Sequence, residues 1–369
     1  MIRRLYIDNY RCFRNFELKL DKLPCAMIIG ANGVGKSTLS EVLSIFHAIG
    51  CGESNVNAVV PHDVRRVGSE VELAEKSDKS DVVTLELEVG DGDDIWIYTL
   101  RFAPLGFGYR VVEEVLSCDG ERLFDRATLP FSEEALGLAV VSGEQGGGKV
   151  GRFKQHLARI LVVRPNPRHM TDAALMDDRP LAVDCANFAS WLLTLLTKSG
   201  ATYASFKEYL SHVMPDFVGL AKSDTARSGS TLGVRFKSDR PDGYVQMSFS
   251  HLSDGEKCQC VAGAVVANNA VEDNFTCFWD EPDNYITTSE IDCLLPALCH
   301  SFVKRGQLIV TSHSREAIKT FGEDEVVCLR RDGHVYPVRP PVTVRELRAG
   351  GQISGSLDEA LLNGDVIRS

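Results

Sequence analysis

Residues Gly30-Ala31-Asn32-Gly33-Val34-Gly35-Lys36-Ser37 set three glycines ahead of a lysine and a hydroxyl, the pattern of a phosphate-binding loop. Glycines suit the task because backbone N–H groups must wrap a β-phosphate with no Cβ in the way, and a following helix N-terminus adds a favourable dipole. In this pattern Asn32, Gly33, Gly35 and Thr38 line the phosphates, Lys36 brings charge to the β and γ positions, and Ser37 ligates Mg²⁺. The expected ligands are therefore ATP and Mg²⁺.

Three further groups follow in order. Leu252-Ser253-Asp254-Gly255-Glu256-Lys257 precedes an apolar helical stretch at 260–270. A Ser253 hydroxyl and a Gly255 backbone at a helix N-terminus can form a second anion site, although the same hexapeptide also serves as a plain N-capped helix start. Phe275-Thr276-Cys277-Phe278-Trp279-Asp280-Glu281 is an apolar strand pattern ending in adjacent carboxylates. Strand alternation would point the two in different directions, Asp280 to hold Mg²⁺ through its water shell and Glu281 to polarise an attacking water as general base. A buried strand pattern at 307–311 then ends in Ser312-His313-Ser314, where His313 can reach a γ-phosphate. The order of the four is more specific than any one of them.

The elements that must hold these residues are readable as patterns. Strand-like residues at 4–7 and 16–20 lead into the apolar run 26–29, and Leu39, Val42, Leu43 and Phe46 at helical spacing predict a helix with one buried face after the glycines. Alternation at 83–89, extended patterns at 95–102 and 109–115, and the turn residues 90–94 predict an antiparallel meander. Residues 143–148 read as a mobile connector, 184–218 as helices, 222–243 as a polar loop or hairpin, and 246–329 as alternating strand and helix. The expected organisation is an N-terminal lobe carrying the phosphate loop at 1–80, an antiparallel β subdomain at 81–142 and a helical insertion at 149–243. A C-terminal lobe with the other three groups follows at 244–335, and a tail at 336–369. The class is α/β.

Composition narrows the function. The chain has 369 residues, 44% hydrophobic and 25% charged, and no apolar run approaches the roughly 18 residues that cross a bilayer. Without a signal-peptide pattern at its start, a cytoplasmic protein with no membrane association is expected. Eleven cysteines at irregular spacing, with no Cys-x-x-Cys pair, read as reduced and mostly buried thiols rather than disulfides or zinc ligands. A net charge of -11 and a pI near 5.4 oppose indiscriminate nucleic-acid binding, so any DNA contact must be local.

The hexapeptide 252–257 resembles the ABC signature sequence, with Asp254 and Glu256 in place of its second glycine and glutamine. Leu5-Tyr-Ile-Asp-Asn-Tyr-Arg-Cys-Phe13 resembles the opening of RecF, of OLD-family ATPases and of chromosome-maintenance and break-repair ATPases, and Arg11 matches the arginine that group places near the nucleotide. Asp280-Glu-Pro-Asp-Asn284 resembles the AAA-type ABC ATPases of OLD-like proteins and of bacterial antiphage systems such as Septu, as do Val163-Arg-Pro-Asn-Pro167 and Leu181-Ala-Val-Asp-Cys-Ala-Asn-Phe188.

That resemblance implies an ABC-type ATPase head with no long coiled coil, working as a homodimer or higher homo-oligomer. Lys36 and Ser37 of one copy would face Ser253 and Gly255 of the next, and Asp283 would fall in the interface loop. Two departures stand out: no glutamine occurs between Ser37 and Gln145, which leaves His62-Asp63 as the substitute for a glutamine loop, and the chain ends too soon after His313 for the nuclease domain of full OLD proteins.

The expected function is thus an ATPase, not itself a nuclease, that serves as the sensor or regulatory subunit of an antiphage defence system and controls a separate nuclease or toxin. Its tail, 344–351 with 357–362, is either a docking element for that effector or a helix packed on its own core. The alternative is a RecF-like DNA-binding ATPase of DNA repair, with Arg227, Arg235, Lys237 and Arg240 contacting phosphates; Asp224, Asp239 and Asp242 among those charges favour a solvated hairpin instead. A transporter motor fits the opening residues poorly.

Overall fold

The computed structural model describes residues 1–62, 64, 81–175, 179–224, 229–239, 241 and 243–353. Its first strands are β1 (Ile2–Asp8), β2 (Phe16–Lys19), β3 (Cys25–Gly30), β4 (Val83–Asp91), β5 (Asp94–Leu105), β6 (Gly108–Cys118) and β7 (Glu121–Asp125). They are followed by β8 (Ile160–Val163), β9 (Ala173–Ala174), β10 (Phe217–Asp224), β11 (Ser230–Lys237) and β12 (Tyr244–Ser248). The chain then adds β13 (Thr276–Asp280), β14 (Gln307–Thr311), β15 (Val326–Leu329) and β16 (Val342–Thr343). Two compact units result, the first built from 1–161, 274–276 and 321–369, the second from 162–273 and 277–320.

In the first unit β2, β1, β4, β5, β6 and β7 form one sheet in that order. Its antiparallel register follows from period-two patterning: Val83, Leu85, Leu87 and Val89 of β4 and Trp96, Tyr98, Leu100 and Phe102 of β5 are all buried. The outward acids of β4 are neutralised across the strands, where Arg4 of β1 pairs with Glu86, with Glu88 at 3.3 Å and with Glu17 at 3.4 Å. The helix Lys36–Gly50 lies on the apolar face, Phe46 meeting Tyr98 edge-on at 6.0 Å. Lys149–Ala158 packs against that helix where Gly50 admits the Ala158 backbone; a Cβ at 50 would stand 2.3 Å from the Ala158 nitrogen. A second set in this unit, β16, β15 and β3, joins β15 to β3 in parallel, from Val326 opposite Met27 to Leu329 opposite Gly30.

The second unit combines helices with two groups of strands. Helices Phe188–Thr197 and Gly200–Val213 fall in the segment expected to be helical. After them β10, β11 and β12 make an antiparallel sheet, joined by β9, which realises the hairpin alternative for 222–243 and departs from a helical insertion that runs to 243. The physical reason lies in alternation along each strand, which buries Phe217, Gly219 and Ala221 of β10 around the half-buried Val218 and Leu220, and Leu232, Val234 and Phe236 of β11 around the half-buried Arg235. The helix Asp254–Val271 is buried on most sides because small residues let neighbours close in: a Cβ at Gly263 would lie 3.1 Å from the Tyr209 ring. Tyr209 donates its hydroxyl to Gln259 at 2.8 Å within that contact. β14 and β13 are hydrogen-bonded neighbours, linked in sequence by the helix Thr288–Lys304.

None of the eleven cysteines is in a disulfide, most of them are buried, and burial pushes the Cys258 thiol up to about 12. No described helix is long and apolar enough to cross a membrane.

Candidate functional site

β3 is buried along all six residues and delivers the chain into the glycine loop at Gly30. Gly35 ends the loop at φ 115°, a left-handed conformation that favours glycine, and it also leaves no space: a Cβ would lie 2.8 Å from Cys12 Sγ and 2.9 Å from Phe13 Cζ. The helix that starts at Lys36 has no acidic residue in its first turn and no side-chain cap. Its amide end therefore keeps the positive potential that attracts an anion. Lys36 is buried, and its ammonium donates to the carbonyls of Gly30 at 2.9 Å and Ala31 at 3.3 Å. Asn32, Gly33 and Ser37 are exposed and Thr38 is half-buried, so the loop presents its polar rim to solvent.

Two segments brace this loop. From the N-terminal side Arg11, at φ 48°, places its Nε 2.9 Å from Glu41 on the loop's own helix, and Tyr10 donates its hydroxyl to the same carboxylate at 3.3 Å. From the C-terminal side Arg331 donates to the Gly33 carbonyl at 3.0 Å. Cys12 is buried between the two, and burial pushes its thiol above the ordinary value while the Arg331 guanidinium pulls the other way.

The carboxylates stand in the second unit. Asp280 ends β13, only 1% exposed, and its Oδ1 accepts the Thr311 hydroxyl at 2.5 Å. Its Oδ2 is buried without a hydrogen-bond partner, with an Arg164 guanidinium nitrogen 3.8 Å away. A buried carboxylate oxygen left unsatisfied is costly unless something else compensates it. Asp280 therefore fits a divalent cation held through its water shell, as expected for Mg²⁺.

Glu281 corrects the strand-alternation argument. It has left the strand, at φ 54° and ψ 63°, and its amide donates to the Thr311 carbonyl at 3.2 Å and hydroxyl at 3.0 Å. The divergence of the two carboxylates comes from this left-handed turn, held by β14, and not from the pleat of one strand. For a residue other than glycine that conformation stores strain, which folded proteins retain where the backbone is held in place from outside. Glu281 Oε2 accepts from Asn284 at 2.9 Å, and His313 Nε2 lies 3.6 Å from Oε1. Glu281 and His313 are thus brought together beside the Asp280–Thr311 pair. Asp283 keeps one buried carboxylate oxygen with no hydrogen-bond partner.

At the signature-like segment Ser253 caps the helix Asp254–Val271 in a capping box: its hydroxyl accepts from the Glu256 amide at 3.3 Å, and Glu256 accepts from the Ser253 amide at 2.7 Å and hydroxyl at 2.8 Å. Gly255 faces Tyr285, whose carbonyl would lie 3.3 Å from a Cβ there. Lys257, buried, donates to the Pro167 carbonyl at 3.0 Å. The phrase 163–167 thus meets both the signature helix and, through Arg164, Asp280.

His62, raised as a glutamine-loop substitute, accepts the Tyr109 hydroxyl through its carbonyl at 3.1 Å, and Asp63 lies outside the described residues. Of the basic patch, Arg235 stacks on Tyr244 at 4.8 Å and Lys237 donates to the Pro215 carbonyl at 2.8 Å, while Arg227 and Arg240 lie outside the described residues, as does the tail segment 357–362. Thr311, Arg164, Glu41 and Arg331 escaped the sequence reading. Of these only Arg164 carried a signal, inside a phrase already singled out by resemblance.

The fold is mixed α/β and resembles the head domains of SMC and ABC ATPases. The AAA ATPase domain family model matches residues 1–91. The chain is 46% identical over 46 residues to the DNA replication and repair protein RecF of Rickettsia bellii, and 41% over 46 residues to that of Rickettsia typhi. Each match spans 12% of this chain and 12% of its relative. Among solved structures, an Smc head bound to the C-winged helix domain of ScpA superposes with a TM-score of 0.56 at 15% identity, covering 94% of this chain and 99% of that one. An Smc head with an extended coiled coil, bound to the C-terminal domain of ScpA derived from Pyrococcus furiosus, gives 0.54 at 12% identity, covering 95% and 98%. At such identities the likeness establishes the fold.

Proposed function

We propose that this chain binds and hydrolyses ATP in the cytoplasm as a head-to-head homodimer or higher homo-oligomer. The observation that carries the reading is the buried Asp280, hydrogen-bonded through Thr311 and with one oxygen unsatisfied, beside a Glu281 held out of the strand next to His313. Lys36 and the amides of Gly33, Gly35, Lys36 and Ser37 hold the phosphates. Asp280 and Ser37 would hold Mg²⁺, which when bound neutralises developing phosphate charge. Glu281 accepts the proton of the attacking water, and His313 orients that carboxylate and meets the γ-phosphate. Ser253 and Gly255 of a second copy complete the closed state, and hydrolysis reopens it. Steady-state phosphate release by the wild type, absent from Glu281→Gln, is the expected result; equal rates would remove Glu281 from the chemistry.

As to what the ATPase serves, motif likeness to OLD-like and Septu-type proteins supports a sensor or regulatory subunit that restrains a separate nuclease or toxin. The 46-residue RecF matches favour a second reading, a DNA-binding ATPase of repair. Affinity purification of Glu281→Gln from its native host with ATP and Mg²⁺ separates them. A stoichiometric nuclease or toxin is expected on the first reading, and DNA with repair proteins but no effector on the second.

A further inference from the structure

The backbone carbonyls of a phosphate loop need donors of their own, and within the loop Lys36 serves Gly30 and Ala31 while the Val34 amide serves Ala31. The Gly33 carbonyl is taken by Arg331, a residue 298 positions away, at 3.0 Å. The same guanidinium donates to the Tyr336 carbonyl at 2.6 Å and to the His334 carbonyl. One planar fork thereby ties the loop to a small hairpin, 331–338, closed by a bridge between Arg331 and Val338.

The hairpin is anchored in turn. Val338 donates its amide to the Cys12 carbonyl at 2.9 Å, and Cys12 is the residue whose sulfur packs against Gly35. The His334 imidazole lies against Gly33, 3.5 Å from the position of a Cβ. Both glycines that flank the turn into the helix are thus touched by this ensemble from behind.

We propose that Arg331 is a positioning residue for the phosphate loop: by holding the Gly33 carbonyl it fixes the Gly33–Val34 peptide, whose N–H closes the loop's own turn onto the Ala31 carbonyl at 3.3 Å, so that the shape of the loop, and with it nucleotide affinity, depends on Arg331. This rests on the nucleotide reading of the loop. Arg331 acts before chemistry, so its removal raises KM and Kd and leaves kcat near the wild-type value.

The experiment is a calorimetric titration with ATP and Mg²⁺, together with steady-state hydrolysis, on the full chain and on Arg331→Ala, Arg331→Lys and Arg339→Ala. Arg339 serves as the control because it pairs with Asp332 on the same hairpin and is not bonded to Gly33. Loss of a charge-assisted hydrogen bond predicts a Kd for Arg331→Ala weaker by about tenfold or more, with partial rescue by Lys, which offers a donor but no fork. Arg339→Ala is expected to bind as the wild type does. Equal affinity in the wild type and Arg331→Ala would overturn the proposal while leaving the nucleotide reading intact. So would equal weakening by Arg331→Ala and Arg339→Ala, because hairpin integrity alone would then explain the loss. A wild type that binds no ATP would overturn both.

Discussion

Asp280 is buried and Glu281 is turned aside, and each geometry has a cause that a single substitution can test. Glu281→Gln removes the proton acceptor and keeps the shape, so hydrolysis is expected to fall by at least about 100-fold while ATP binding persists. Lys36→Ala removes the ammonium at the mouth of the loop, and loss of nucleotide binding in the same titration is the expected outcome. His156 offers a prediction about stability. Burial, opposed by Asp91 at 3.3 Å, lowers its pKa from 6.5 to about 4, and its ring lies 5.4 Å from that of Trp96. The unfolded chain binds this proton more readily than the folded one. Its contribution is therefore full above pH 6.5 and is lost as pH falls toward 4, by up to about 3 kcal/mol. Urea denaturation at pH 7 and pH 5 checks this, since His156→Phe should flatten the difference; an unchanged slope would remove His156 as its source.

Among the elements, the signature-like helix has the clearest physical consequence. Its N-terminus carries Asp254 and Glu256 in the first turn, and Glu256 occupies the Ser253 hydroxyl and amide. These carboxylates stabilise the helix end but oppose a second anion there, so capture of a γ-phosphate competes with the cap. Glu256→Gln keeps a side-chain acceptor for the Ser253 amide and removes the charge. ATP-driven association of that variant should begin at lower protein concentration than in the wild type, as read by sedimentation velocity. Weaker association would show that the carboxylate helps the contact instead. Glu256→Ala, which loses the box, is expected to cost about 1 kcal/mol in urea unfolding.

For the molecule as a whole, the prediction is nucleotide-dependent dimerisation. Glu281→Gln with ATP and Mg²⁺ should run at twice the monomer mass in light scattering and return to monomer when EDTA removes the metal. Ser253→Arg should block the shift without changing binding of the first ATP. A monomer under every condition would end the head-to-head reading. The low identity to Smc heads over nearly the whole chain is compatible with a shared fold, because α/β packing constrains volume and patterning more than identity.

Residue type and spacing were enough to put the glycine-rich loop, the carboxylate pair, the signature-like hexapeptide and His313 at the ends of elements, since the periodicity of those elements is local. The meander was readable for the same reason: β4 and β5 bury every second residue, and that period is written in the chain itself. Tertiary structure alone decided how those residues are held. Glu281 diverges from Asp280 because Thr311 of β14 takes its amide, and Gly33 is fixed by a guanidinium from the far end of the chain. Between loop and hairpin at 222–243 the residues alone did not choose, because short segments broken by glycine and serine read equally as either until a paired strand satisfies their backbone, as β10, β11 and β12 do here. Local periodicity reports which face of an element is buried; only the path of the whole chain determines which distant donor meets a given carbonyl.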